Sequence, residues 1–336
     1  MCTNFKVPVA EDGSVVVGRS LDYPAQFPVS LCVLTTGQSR RALGPVDATA
    51  AKEWTTRFGV VGLALFGQEG LIFDGLNSNG LSAHTLYMVG GFFHPIEFRG
   101  DGTDVSQLEL TSYLLSTCGS VADVRAAVAE INIWGWDGGL PFMPPVHVLV
   151  HDVNESVAIE FRPDGVVVVD NPTSVGTNSP YLEWHLLNMN NHVGFSSVNP
   201  DGQAIAGGKI RPMGAGWGLH GLPGDYSGPS RFVRALVFTS LADTPATGKD
   251  AEMLALHILN AFDIPAGVVK EPGPNHSVLS EVTYADTICN LSELRFAYRA
   301  LNDPIIYVVD LKETDFTGDP RTTPISRDGQ FTLIEI

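Results

Sequence analysis

The chain opens Met1-Cys2-Thr3-Asn4-Phe5-Lys6-Val7-Pro8-Val9-Ala10-Glu11-Asp12-Gly13-Ser14-Val15-Val16-Val17-Gly18-Arg19-Ser20-Leu21-Asp22-Tyr23. Two β-rich runs, Phe5 to Ala10 and Ser14 to Leu21, are joined through Glu11-Asp12-Gly13, and Asp-Gly between such runs is a strong hairpin signal. With Asp12-Gly13 in the turn, Cys2 falls opposite Tyr23 with Asp22 beside it, while the face taken by Arg19 stays open to a slip of register. A small second residue permits removal of Met1. That would leave a thiol and a free α-amine on one residue. A terminal amine titrates at about 7.7 to 8.0 and a thiol near about 8.5, so the amine can take the thiol proton at little cost. On position alone Cys2 reads as a small residue after a start codon. It becomes a nucleophile only if the rest of the chain supplies a cage for the amine and donors for an oxyanion.

The 336 residues are enough for one large or two modest domains with a sizeable core. A hydrophobic share of 44% and a charged share of 17% describe a globular protein. Apolar runs such as Gly59 to Phe66 fall far short of the roughly 20 residues of a membrane helix, and no signal-peptide pattern opens the chain. The expected location is cytoplasmic. With 20 Lys and Arg against 37 Asp and Glu, the formal charge of -17 argues against nucleic acid and anionic membrane as partners. Cys2, Cys32, Cys118 and Cys289 form no CxxC pair, so neither a disulfide framework nor a zinc site is expected. His147 and His151 lie four apart on a probable strand, about 13 Å from each other, and read as structural. The P-loop, GxGxxG and Gly-x-Ser-x-Gly patterns are absent from the sequence.

Further along, Ser30 to Thr36 and Phe58 to Leu65 read as strands. Leu71 to Tyr87 reads as two arms around the turn Asn77-Ser78-Asn79-Gly80. Helical spacing covers Val105 to Thr117 and Val121 to Ile131. A Gly/Pro-rich loop, Gly135 to Pro145, carries Trp136, Phe142 and Met143, which either form an apolar lip or cover a core. Val146 to Val150, Val157 to Phe161 and Val166 to Val169 form a meander that leads to Gly176-Thr177-Asn178-Ser179-Pro180. Asn178 there either caps the following helix or aims its amide at an oxyanion. Helices are expected from Ser230 to Thr239 and from Ala251 to Ala261. The tail is again β-rich over Val278 to Thr287, Leu294 to Tyr298, Ile305 to Val309 and Thr332 to Ile336. The pattern predicts one α+β domain over residues 1–336, with two antiparallel sheets between helical layers.

Met1-Cys2-Thr3, Gly18-Arg19-Ser20-Leu21-Asp22, Asp74-Gly75-Leu76-Asn77 with Gly80-Leu81, Thr177-Asn178-Ser179-Pro180, Gly221 to Asp225 and Ser230-Arg231-Phe232-Val233-Arg234 occur in one order. In that order they resemble the choloylglycine hydrolase family, which includes bile salt hydrolases and penicillin V acylases. The resemblance covers nearly the whole chain. It implies an N-terminal nucleophile hydrolase with a four-layer αββα sandwich and amide hydrolysis without metal or organic cofactor. It makes Cys2 the nucleophile and its α-amine the base, with Met1 removed. It sets Arg19 beside the thiol, Asp22 at the amine, and Asn178 with the backbone N–H of Tyr87 at the oxyanion. Arg231 completes the polar cage, and a homotetramer is implied.

Position 87 is Tyr here, where bile salt hydrolases usually resemble one another in having Asn and penicillin V acylases often have an aromatic residue. Tyr87 with Tyr23, Phe27, Phe142 and Met143 would suit a phenoxyacetyl or fatty acyl group. The expected activity is therefore of penicillin V acylase type on a small-molecule amide. Bile salt hydrolysis and acyl homoserine lactone acylase activity stay open, as does a non-catalytic binding protein on the same fold.

Overall fold

The computed structural model describes residues 1–23, 28–45, 50–89, 91–140, 142–272, 277–300 and 302–325. Phe27 and the strand expected over Thr332 to Ile336 lie outside them. Two antiparallel sheets dominate. One runs in the order Val175–Gly176, Cys2–Lys6, Val16–Tyr23, Val278–Asn290, Arg295–Ala300 and Tyr307–Asp310, with Val269–Pro272 pairing on Val278–Asn290. The other runs Gly165–Asp170, Ser156–Arg162, Val146–His151, Ser82–Tyr87, Ile72–Asn77, Val60–Leu65, Val29–Leu34 and Arg321–Pro324. Helices Gly228–Leu241 and Gly248–Leu259 cover the first sheet, and Leu110–Thr117 covers the second. This is the expected α+β sandwich of two sheets between helices. Among the described residues no helix is long and apolar enough to cross a membrane.

The opening hairpin forms, with Cys2 opposite Leu21 rather than Tyr23. The loop is one residue longer than expected: Ala10 N–H bonds Ser14 O, and Gly13, at φ +86°, donates to Ala10 O. Val7 then bonds Val16, so the register slips again between turn and ladder, where Pro8 has no N–H to offer. A two-residue slip keeps every side chain on the face it has with Asp12-Gly13 in the turn, and so decides the face of Arg19 that the sequence left open. Cys2, Asn4 and Arg19 thus face the second sheet, where Asn4 meets His151 and Arg19 meets Thr85. Thr3, Phe5 and Asp22 face the helices.

The helix expected over Val105 to Thr117 begins only at Leu110, and Asp104–Ser106 is instead a strand parallel to Asn132–Trp134. The Asp104 carboxylate accepts from the N–H groups of Arg99 and Gly100 and from Asn132 Nδ2, which fixes that segment as an extended edge. Tertiary pairing here outweighs local periodicity. The helices Val121–Glu130 and Gly248–Leu259 start on Ser120 and Thr247, whose side chains accept from the N–H three residues on. His147 and His151 lie buried on the expected strand, bonded to Thr177 O and to Asn4 and Ser156. Their role there is structural.

Candidate active site

Cys2 begins an inner strand of the first sheet and is 2% exposed. Its backbone is held on both sides: its N–H donates to Asn178 Oδ1 at 3.0 Å, and its carbonyl accepts from Arg231 Nη1. Arg231 also donates to Thr3 Oγ1, to Tyr226 O and, through Nη2, to Asn178 Oδ1. Asn178 therefore joins the strand that begins at Cys2 to the helix that carries Arg231. Gly228 allows that helix to lie close, because a Cβ there would stand 2.8 Å from Ser179 O. The Asn178 Nδ2 group donates to Tyr87 O, so the sequence-predicted oxyanion donor is occupied by a carbonyl in this state.

The residue before Cys2 occupies its own slot. The Met1 ammonium donates to Asp22 O at 2.6 Å and lies 3.3 Å from Glu281 Oε2. The Asp22 carboxylate, 0% exposed, accepts from Thr283 Oγ1 and Ser20 Oγ. Burial raises its pKa, opposed by the terminal ammonium and Arg231. Burial likewise lowers the pKa of Arg231, opposed first by Asp22. Each charge supports the other in a site that disfavours both.

On the thiol side, Arg19 Nη2 lies 3.5 Å from Cys2 Sγ and donates to Thr85 O at 2.9 Å. Its Nη1 pairs with Asp74 Oδ2 at 3.1 Å, and its guanidinium lies over the Phe73 ring. Asp74 in turn meets His84 Nδ1 at 2.8 Å and accepts from Thr287 Oγ1. Burial alone would raise the Asp74 pKa, but the charges of His84 and Arg19 and these hydrogen bonds hold it below the usual value. Asp74, His84 and Cys289 bring three potential metal ligands within 4.8 Å of one another. The Asp74 oxygens are already committed to Arg19, His84 and Thr287, so a cation there would have to displace the arginine.

A cavity of about 120 Å³ opens onto Cys2 and Arg19. Its walls are almost wholly apolar and include Leu71, Phe73, Leu86, Leu108 and Val146, together with Tyr23 and Tyr87. The two tyrosine rings meet edge to face at 6.2 Å. Burial, then Tyr87 and Glu281, push the Tyr23 hydroxyl up to about 12. The structure thus gathers Cys2, Arg19, Asp22, Tyr23, Tyr87, Asn178 and Arg231. It does not bring in Phe142 or Met143: Leu140 and Pro144 of the same loop line the cavity, Phe142 is exposed, and Met143 packs on Gly135 near Gln107. Sequence reasoning missed His84 and Glu281 and gave Asp74 no role. The turn at Asn77 to Gly80 carried a usable signal, since its register sets Asp74 opposite His84.

Comparison with known proteins agrees with this architecture. The chain is 27% identical over 330 residues to a bile salt hydrolase/transferase of Clostridium perfringens, covering 95% of each. It is 28% identical over 268 residues to one from Lactiplantibacillus plantarum, covering 79% of this chain and 81% of that protein. In structure it resembles a mutant conjugated bile acid hydrolase from Clostridium perfringens, with a TM-score of 0.85, 21% identity and all of both chains covered. It also resembles a penicillin V acylase from Agrobacterium tumefaciens, with a TM-score of 0.77, 19% identity and 96% and 90% of the two chains covered. Residues 2–325 match the family of linear amide C–N hydrolases named for choloylglycine hydrolase, and the chain belongs to that family.

Proposed function

We propose that the chain, once freed of Met1, hydrolyses linear amides of aromatic or fatty acids by acyl transfer to Cys2, an activity of penicillin V acylase type. The cavity carries this reading. It is comparable in size to the roughly 150 Å³ apolar cavities that hold a benzene ring, so it suits a phenoxy group or a run of methylenes. The fused four-ring acyl group of a bile acid would have to extend out of its open side. Bile salt hydrolysis is the second reading, favoured by the names of the curated relatives.

In the proposed reaction, the Cys2 α-amine takes the thiol proton and Sγ attacks the amide carbon. Arg19 stabilises the thiolate. For Asn178 to donate to the resulting oxyanion, its Nδ2 exchanges the Tyr87 carbonyl for the substrate oxygen, one hydrogen bond for another. The C–N bond breaks as the ammonium returns its proton to the departing nitrogen, leaving a thioester. Water, deprotonated by the same amine, then releases the acid and restores the thiol.

The test is amine release by Met1-processed protein from penicillin V, glycocholate and a long-chain acyl homoserine lactone in parallel, with Cys2→Ala as control. Turnover of penicillin V or the lactone, lost in the control, is expected. Preference for glycocholate would replace the acylase reading with the bile salt reading.

A further inference from the structure

The acyl cavity accounts for one side of the proposed reaction, and the leaving amine needs another. To receive a proton from the Cys2 α-amine, the departing nitrogen must come within hydrogen-bond reach of the Cys2 nitrogen. The space around that nitrogen is what Met1 fills. The Met1 ammonium there sits between Asp22 O and the Glu281 carboxylate, a built-in example of a cation held at this spot. Glu281 is 1% exposed on the strand Val278–Asn290, and Met1 is its one ion-pair partner among the described residues. Removal of Met1 leaves that buried carboxylate facing the vacated slot.

Among the described residues, the charges around Glu281 are mostly negative or already engaged, which leaves an anionic leaving group poorly matched there. Glu271 lies on the strand paired with Val278–Asn290, two residues from the Val269–Glu281 pair, and its charge is felt at Glu281, Tyr23 and Tyr87. Arg231, the nearest guanidinium on the amine side, has Nε, Nη1 and Nη2 all bonded within the protein. Arg19 is turned to the thiol, Asp74 and Thr85 O.

We propose, resting on the hydrolase reading above, that Glu281 forms the leaving-amine subsite. Through it the enzyme favours acyl amides of diamines and amino alcohols, and disfavours those whose amine bears a carboxylate or sulfonate within two carbons of the amide nitrogen.

The test uses Met1-processed full-length protein and one acyl group on three amines: N-phenoxyacetyl-1,4-diaminobutane, N-phenoxyacetylethanolamine and N-phenoxyacetylglycine. Release of phenoxyacetate is read by chromatography. The expected kcat/KM falls in that order, with the glycine amide at least tenfold below the ethanolamine amide. Glu281→Gln should narrow the diamine-to-glycine ratio about tenfold. A ratio measured within one preparation does not depend on how much of the variant folds. Equal turnover of the three amides, or a ratio unmoved by Glu281→Gln, overturns the subsite while leaving the hydrolase reading intact. Release of acid from none of the three overturns the hydrolase reading and the subsite with it.

Discussion

Arg19→Leu tests whether the thiol chemistry depends on the buried guanidinium. At 3.5 Å from Sγ, a unit charge interacts with a thiolate by about 5 kcal/mol at an effective dielectric of about 20. Asp74, paired with the same guanidinium at 3.1 Å, offsets part of this. The attraction of the guanidinium for the reacting sulfur is lost with the substitution, so alkylation of Cys2 by iodoacetamide at pH 7 should slow by about tenfold or more. The other three cysteines are poor competitors. Burial first, with lesser effects of nearby groups, pushes Cys32 up to about 12 and Cys118 to about 11, and holds Cys289 well above its ordinary value. The single substitution also leaves Asp74, 0% exposed, without its arginine partner, which costs up to about 3 to 5 kcal/mol. Slower alkylation could therefore be confused with damage to the fold. Adding Asp74→Asn removes the stranded charge and keeps an amide oxygen for His84, while its NH2 group can donate to the Thr287 hydroxyl. The double variant should regain most of the stability, read by urea denaturation, and none of the reactivity, read by mass spectrometry. Alkylation of the double variant at the wild-type rate would refute the assignment of Arg19. A single variant as stable as wild type would refute the buried pair.

Two further outcomes follow from the same geometry. Asn178→Ala should lower kcat by about a hundredfold or more, measured on whichever amide is turned over, because it removes the proposed oxyanion donor together with the acceptor that holds the Cys2 N–H and Arg231. Glu109, buried and accepting from Leu43 N and Ser106 Oγ, is raised by desolvation from 4.5 to about 7. Its folded pKa lies above its unfolded one, so its contribution is full below about pH 4.5 and is lost as pH rises to about 7, by up to about 3 kcal/mol. Glu109→Gln should thus gain stability relative to wild type between pH 5 and pH 8 in urea denaturation, and an equal difference at the two pH values would contradict the burial argument.

The local pattern of this sequence is informative about its strands and much less so about what they bring together. The hairpin at Asp12-Gly13, the arms around Asn77 to Gly80 and the helix starts at Ser120 and Thr247 are written in residues that act on near neighbours, and they appear with shifts of a residue or two. Val105 to Ser106 was misread as helix because its partner, Ile133 to Trp134, lies far along the chain. Phe142 and Met143 have the right chemistry for a pocket wall, yet loop geometry turns Leu140 and Pro144 inward instead.

The polar residues around Cys2 follow a different logic, since their burial makes sense only as a set. Arg19, Asp74 and His84 are each 1% exposed or less, and Arg231 and Asp22 are fully enclosed. Burying any one of these charges alone would be costly, so each requires the others to be in place. Glu281 breaks that pattern. Its partner is the ammonium of Met1, the residue whose removal the proposed chemistry at Cys2 requires. Removal of Met1 would take that cation away and place a new α-amine one residue further on, at Cys2, so the carboxylate would pair with that amine or with a cation brought by the substrate. In the proposed reaction the leaving amine of the substrate would pass through that position in each turnover.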